Sequence, residues 1–338
     1  MNLTYQSYRF TLRAEEQLLL PYYKGSTFRG AFGNAFRRVV CALRRQDCNT
    51  CILKTSCIYA YVFETAPSAD TAIMGMNKYT SIPHPFVIEP PMETDRVYEP
   101  GEEISFGLIL IGKAVDYLPY FVYTFEEMGK IGIGKKRGKY RLLNAETEDD
   151  SLAYSCEDRT IRPQSARVVT IPEEFTLNDN GDTPLTISFL TPARISYGRN
   201  LAVKPDFHIL VRSLLRRINL LNYFHGEKQE AQWNHREIIA KAEVVSIEKN
   251  NTRWWDWERY STRQGVRMKM GGLIGEVEYS GNIEPFLPLM LAGEIFHVGK
   301  GTSFGLGKYE IQFGVQSSAF GDGTFTTGRT KSKARAHG

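Results

Sequence analysis

The order of secondary-structure signals in this 338-residue chain is β-α-β-β-α-β, followed by the same order again. That order predicts an α+β protein of two tandem ferredoxin-like units, RRM-like in connectivity, with glycine-rich loops. Two further observations support the prediction. Each half contains an apolar helix, then a glycine-rich loop, then a strand that opens on Gly-Lys-Tyr, at "GIGKKRGKYRL" (Gly132 to Leu142) and "GKGTSFGLGKYEI" (Gly299 to Ile311). The length suits about two domains.

In the first half, Tyr8, Phe10 and Leu12 alternate with Arg9, Thr11 and Arg13, the period of a half-buried strand. Ser26 or Thr27 can cap a helix running to about Arg45, with Phe28, Phe32, Phe36, Val39 and Leu43 at helical spacing. A cysteine-bearing loop follows, then strands at Pro85 to Glu89 and Ile104 to Ile111, a helix at Asp116 to Lys130, and a strand from Lys139. In the second half, "PLTISFLTPARI" is a strand and Phe207 to Phe224 a helix. "AEVVSIEKN" and "LIGEVEYSG" are strands, Ile283 to Phe296 contains a helix, and "KYEIQFGV" is the last strand. Pro119, Pro285 and Pro288 fall near helix starts, where proline is tolerated. These signals divide the chain into an N-terminal unit, 1–160, a C-terminal unit, 161–315, and a basic tail, 316–338, of disordered composition. The linker is expected between Ser155 and Val168.

Composition is that of a soluble globular protein. No long apolar run marks a membrane span or secretion signal, so a cytoplasmic protein without membrane attachment is expected. Net charge is only +4, but the cations are clustered. Lys130 to Arg141 holds six basic residues and no acid, and Ser26 to Arg45 holds five arginines and no acid. The tail adds Arg329, Lys331, Lys333 and Arg335. Such clusters suit a polyanion. On the first helix Arg37, Arg38, Arg44, Arg45 and Asn34 fall opposite the apolar stripe, giving a cationic face.

Glycine lets successive backbone N–H groups converge, and lysines at the rim add charge, a combination that suits phosphate. Gly129 to Lys136 has the G-x4-G-K spacing of a nucleotide P-loop, but Lys136 stands where a hydroxyl should hold magnesium, and the loop joins helix to strand rather than strand to helix. Two such loops at equivalent places favour an extended phosphate chain, RNA above all. Cys41, Cys48, Cys51 and Cys57 occur as C-x6-C-x2-C-x5-C, a spacing that suits structural zinc, with an iron–sulfur cluster as the other thiolate-bound choice. Cys156 stands alone in an acidic stretch. The aromatics of "TRWWDWERYSTRQ" could stack bases, although packing is the favoured role for Trp255 and Trp257.

The paired units, "HVGKGTSFGLGKY", "GSTFRGAFGNAFRRVVC" with its following cysteines, and "WDWERYSTRQ…GGLIGEVEYSG" together resemble the CRISPR-associated repeat-RNA-processing endoribonucleases of the RAMP superfamily. The resemblance spans about Thr4 to Val315. It implies metal-independent cleavage of precursor CRISPR RNA: an upstream 2′-hydroxyl attacks the scissile phosphate, leaving a 2′,3′-cyclic phosphate and a 5′-hydroxyl. That chemistry needs a base, cations for the developing charge, and an acid for the leaving oxygen.

A histidine on the first helix is expected from the resemblance; none is present, and Asn34 stands in that place. The expected catalytic group is Asn34, Arg38, Tyr23, His297 and Lys300. Expected RNA contacts in the first half are Lys24, Arg29, Arg37, Gly132, Gly134, Lys135, Lys136 and Arg137. In the second half they are Arg199, Arg216, Arg217, Arg263, Gly299, Gly301, Ser303, Gly305, Gly307 and Lys308. His84, His208, His225, His235 and His337 read as structural or incidental. The other function consistent with Asn34 is a non-catalytic subunit that holds processed CRISPR RNA among other effector subunits.

Overall fold

The computed structural model describes residues 1–44, 47–65, 82–175, 184–228, 230–261 and 266–313. Arg45, Arg263, His337 and the expected basic tail lie outside the described residues.

The first unit runs β1 (Asn2–Ala14), α1 (Gly25–Val40), β2 (Phe86–Glu89), β3 (Glu103–Ile111), α2 (Leu118–Ile131) and β4 (Tyr140–Thr147). Its sheet order is β2-β3-β1-β4 with antiparallel neighbours, which is the ferredoxin-like arrangement expected. Short strands border and interrupt the stretch expected as linker. β5 (Leu152–Ser155) and β6 (Thr160–Ile161) extend the sheet beyond β4, and β7 (Arg167–Thr170) pairs with β1, placing Asn2 opposite Thr170. β1 is 13 residues long and β4 pairs with it only from Tyr8 onward. β7 therefore occupies the edge that β4 leaves open, satisfying backbone groups that would otherwise have no ladder.

The second unit runs β8 (Leu185–Ala193), α3 (Phe207–His225), α4 (His235–Glu243), β9 (Ser246–Asn250), β10 (Arg253–Trp255), β11 (Glu258–Ser261), β12 (Val266–Lys269), β13 (Gly272–Ser280), α5 (Leu287–Phe296) and β14 (Tyr309–Phe313). Its order, β9-β13-β8-β14, repeats that of the first sheet, with β10 added beside β13. The segment read wholly as a strand from Ala242 begins as the end of α4. Ile238, Ile239 and Ala242 recur at helical spacing and are buried, and Asn234 caps the helix by accepting from the Glu237 N–H at 3.3 Å.

α1 buries Phe28, Phe32, Ala35 and Phe36, while Asn34 and Arg38 are exposed, as the periodicity predicts. Phe32 stacks on Phe36 and Phe121 at 5.1 and 5.0 Å, so the first core is an aromatic layer between α1, α2 and the sheet. The helix ends differ from expectation. Its N-cap is Lys24, not Ser26 or Thr27, and it stops at Val40, so Leu43 lies beyond it and is 37% exposed. A second core lies under α3 and α5 and also takes in Leu3, Tyr5, Val87, Ile109 and Ile111 of the first sheet. Shared apolar packing therefore joins the two units, with Tyr5 edge-on to Phe296 at 5.6 Å.

Candidate nucleic-acid interface

The C-terminal glycine loop is folded onto the protein. Gly299, Gly301, Gly305 and Gly307 all have positive φ, which L-residues with a Cβ rarely adopt. A Cβ at Gly305 would lie 2.3 Å from Pro90 and 2.8 Å from the Ile88 carbonyl; one at Gly307 would lie 1.9 Å from the Val298 carbonyl. Thr191 donates its hydroxyl to the Gly305 carbonyl (2.7 Å) and accepts from the Lys308 N–H (2.8 Å). The glycines thus permit close approach of protein backbone. They do not form the open phosphate cradle expected, and Ser303, also an expected contact, is buried.

An ionic cluster fastens the same loop to the first unit. Glu89 at the end of β2 lies 2.9 Å from both the Lys308 ammonium and His297 Nε2, and His297 Nδ1 lies 3.1 Å from the Leu306 carbonyl oxygen. Burial pushes the Glu89 carboxyl up, but the Lys308 charge and the His297 hydrogen bond outweigh it and hold the group below the ordinary carboxylate range. His297 is fully buried and has φ of +63°, a strained conformation for a residue with a Cβ. Expected as catalytic, it is enclosed by its partners, and Lys308, expected to bind RNA, is neutralised by Glu89.

The N-terminus of α1 meets the loop from the other side. A Cβ on Gly25 would sit 2.1 Å from the Phe304 carbonyl, which explains the glycine at the first helical position. Tyr23 donates its hydroxyl to that same carbonyl (2.8 Å), and burial raises its pKa well above the ordinary value. Its proton is engaged and unavailable as the expected acid. Lys24 is fully buried, donating to the Glu93 carbonyl at 2.6 Å, so it is no surface contact for RNA. The Arg29 guanidinium lies between the rings of Phe63 and Phe304, 4.3 and 4.9 Å from their centroids, and donates to His84 Nε2 at 3.1 Å. Arg37 lies over Tyr59. Arg217 is buried and donates to the Phe296 carbonyl at 2.8 Å; burial lowers its pKa to about 9. Arg217 too is structural.

The first glycine loop follows the same logic. Cβ atoms on Gly132 and Gly134 would strike the Arg137 and Leu19 carbonyls at 2.0 and 2.3 Å. Those glycines make a compact turn whose tip presents Lys135, Lys136 and Arg137 to solvent. Arg38, Arg199, Arg216 and Lys300 are exposed as well. Asn34 and Arg38 stand one turn apart on α1, but Asn34 is about 13 Å of helical rise from Gly25 and the loop it touches. The expected catalytic set is therefore split between a buried junction and an exposed helix face.

The four clustered cysteines are reduced and half-buried, with Cys48 and Cys57 packed on the first core. Among the described residues no three His, Cys, Asp or Glu side chains gather at metal-holding geometry. The described strands of the first sheet carry no exposed aromatic, whereas the second sheet has Trp254, 37% exposed, on β10. On the first, Arg9 pairs with Glu146 and Asp150, and Arg13 with Glu103. On the second, register places Glu276 and Glu278 beside Ser188 and Thr186, with Glu278 paired to Lys249 at 3.3 Å.

The residues that sequence reasoning missed are Glu89, Pro90 and Phe304. The local signal for the first two was the ending of an apolar strand on a charge before two prolines, "FVIEPP".

Tandem ferredoxin-like units with a glycine-rich loop after the last helix are the arrangement that the sequence resemblance implies. Residues 187–309, most of the second unit, match the family model described as "CRISPR-associated endoribonuclease Cas6". Residues 3–169 match a model described as "N-terminal domain". An uncharacterized protein of Archaeoglobus fulgidus is 26% identical over 308 residues, covering 88% of this chain and 94% of that one. Among solved structures, the product complex of a Thermus thermophilus Cas6 aligns over 91% of this chain and 99% of its own, at 18% identity and a TM-score of 0.52. A chain of a partial Cas6-RT-Cas1–Cas2 complex aligns over 95% of this chain and 48% of its own, at 13% identity and a TM-score of 0.55. The fold expected from the sequence and the likeness to repeat-RNA-processing endoribonucleases are both borne out. No described helix is long and apolar enough to cross a membrane.

Proposed function

We propose that this protein binds CRISPR repeat RNA and cuts precursor CRISPR RNA by attack of a 2′-hydroxyl on the adjacent phosphate, without a metal ion. The observation that carries this reading is the second unit, matched by the Cas6 model, whose glycine loop seats on the N-terminus of α1, with Lys300 exposed on it. Lys300 would stabilise charge on the phosphate. His84 and His297, the described imidazoles bonded at this junction, are both occupied by protein partners. Without an imidazole base on α1, cleavage would be slow.

Asn34 favours a second reading, an RNA-holding subunit without cleavage, since an amide takes up no proton near neutral pH. One experiment separates the two. The protein is incubated with its repeat RNA in EDTA and in an unchelated control, and the ends are mapped. Products ending in a 2′,3′-cyclic phosphate support the enzyme; tight binding without products supports the subunit. Asn34→His tests the exposed face of α1: a gain of at least tenfold, in line with general-base contributions of about 10²-fold or more, would place the scissile phosphate beside Asn34 rather than Lys300. An unchanged rate would remove α1 from the chemistry.

Association with other CRISPR proteins is proposed on the analogy of the Cas6-RT-Cas1–Cas2 complex. Zinc on Cys41, Cys48, Cys51 and Cys57 is a separate proposal that requires the loop to close around the ion. One zinc per purified chain would support it, and a metal-free chain of full stability would reject it.

A further inference from the structure

Beside the glycine loop lies an aromatic cluster that packing does not use up. Tyr22, just before α1, is 56% exposed, and its ring lies 5.7 Å from Trp255 at 65°. Behind them Tyr23 fills the gap, 4.6 Å from Trp257 and 6.3 Å from Trp255, with its hydroxyl on the Phe304 carbonyl of the loop. Trp254 is 37% exposed and donates its indole N–H to Asp256 at 2.9 Å. One layer of the cluster is therefore structural, while Tyr22 is exposed and Trp255 half-buried beside it. Solvent-exposed aromatic rings lose apolar contact that a flat partner would restore.

The surroundings indicate the partner. Arg253 precedes Trp254 and is exposed, Lys269 is exposed on the neighbouring ribbon, and Lys300 is exposed on the loop that Tyr23 touches. Cations flanking aromatic faces suit a single-stranded nucleic acid, whose phosphates and bases are satisfied together. The strands of the first sheet, where an RRM-type protein would place stacking aromatics, carry none exposed to solvent; the second sheet has Trp254 and Trp255 on β10, at the edge of this cluster.

We propose that Tyr22 and Trp255 form a stacking platform for an unpaired base of the bound RNA, with Arg253 and Lys300 taking the flanking phosphates. This inference rests on the RNA-binding reading and specifies which part of the RNA the junction takes.

Three of the four tryptophans belong to this cluster, and the fourth, Trp233, is buried with its N–H on the Pro172 carbonyl. Intrinsic fluorescence therefore reports on the platform. The full chain is titrated with a single-stranded oligoadenylate of ten nucleotides and with a blunt RNA duplex of the same length. The oligoadenylate is expected to quench the tryptophans. Tyr22→Ala combined with Trp255→Ala is expected to weaken its binding roughly five- to 150-fold, the range for loss of one stacked base, and to leave duplex binding unchanged. Tyr22→Phe and Trp255→Phe, which keep the aromatic faces, are expected to bind as the parent does, and thermal unfolding of each variant establishes its fold. Parent-like oligoadenylate affinity in the folded double variant would overturn the platform while leaving RNA binding intact. A parent chain that binds neither RNA at modest salt would overturn the RNA-binding reading and the platform together. A dimer that Tyr22→Ala dissolves would also overturn it, since a second copy would then own the surface.

Discussion

Glu89 is 16% exposed and carries two partners that come from more than two hundred residues later in the chain. Removing its charge leaves the Lys308 ammonium, 13% exposed, without a counter-ion in a dry setting. Glu89→Gln is therefore expected to destabilise the protein by about 3 kcal/mol, as for other broken buried pairs, measured by urea unfolding. A change within about 0.5 kcal/mol would mean the pair is solvated and the junction is held by apolar contact alone. This residue shows why part of the site was illegible. A histidine and a lysine bordering a glycine-rich loop read as reactive groups, because sequence gives their chemistry and not their burial. The carboxylate that engages both lies on another element of another unit. The exposed cations were legible, because Lys135, Lys136 and Arg137 sit at a turn tip that local sequence defines. Arg217 was not, since helical period alone did not separate it from its exposed neighbour Arg216.

At the scale of elements, the segment before β2 is tied to α1 and α3 through two neutral imidazoles. His84 accepts from Arg29, and His225 Nε2 donates to the Pro83 carbonyl (2.8 Å) while its Nδ1 lies 3.1 Å from the Tyr61 hydroxyl. Burial first, then the Arg29 charge, lowers the His84 pKa to about 3; burial lowers that of His225 to about 4. Both folded values lie below the unfolded value of about 6.5. As pH falls below 6.5 the unfolded chain therefore takes up protons that the folded chain refuses. Stability is expected to be fully present at pH 7 and to decline by a few kcal/mol toward pH 4, read by urea unfolding at each pH. A flat profile from pH 7 to 5 would contradict the neutral, buried assignment.

The tip of the first glycine loop makes a different prediction. Replacing Lys135, Lys136 and Arg137 by alanine should lower the slope of log affinity against log salt by about 2 for single-stranded RNA, at about 0.7 per lost phosphate contact. An unchanged slope would place the RNA elsewhere. Elements of this kind were legible from period and order. Their ends were not, because tertiary contacts set them: the Phe304 carbonyl needs Gly25 as the first helical residue, and the open edge of β1 recruits β7 from a stretch whose polar composition reads as linker.

For the whole molecule, the two ferredoxin-like sheets present unequal surfaces. The second sheet's open face carries Glu276 and Glu278, the latter paired with Lys249, and on the first sheet Arg9 and Arg13 are paired with acids, with the exposed Arg141 beside Arg13. The cations and aromatics proposed to take RNA lie at the junction where the second unit's glycine loop seats on α1, flanked by Tyr22, Trp255, Arg253 and Lys300, and at the Lys135–Arg137 tip of the first loop. Duplication of the fold was legible because both halves repeat the same element order. The seating of one half on the other was not, since it depends on contacts between distant residues. The most direct test is photo-crosslinking of 4-thiouridine-substituted repeat RNA to the intact protein, with the attached peptides identified by mass spectrometry. Crosslinks within 22–29, 253–257 and 299–305 are expected. Crosslinks confined to the open strands around 276–278 and 310–312, with the junction peptides unmodified, would contradict the account.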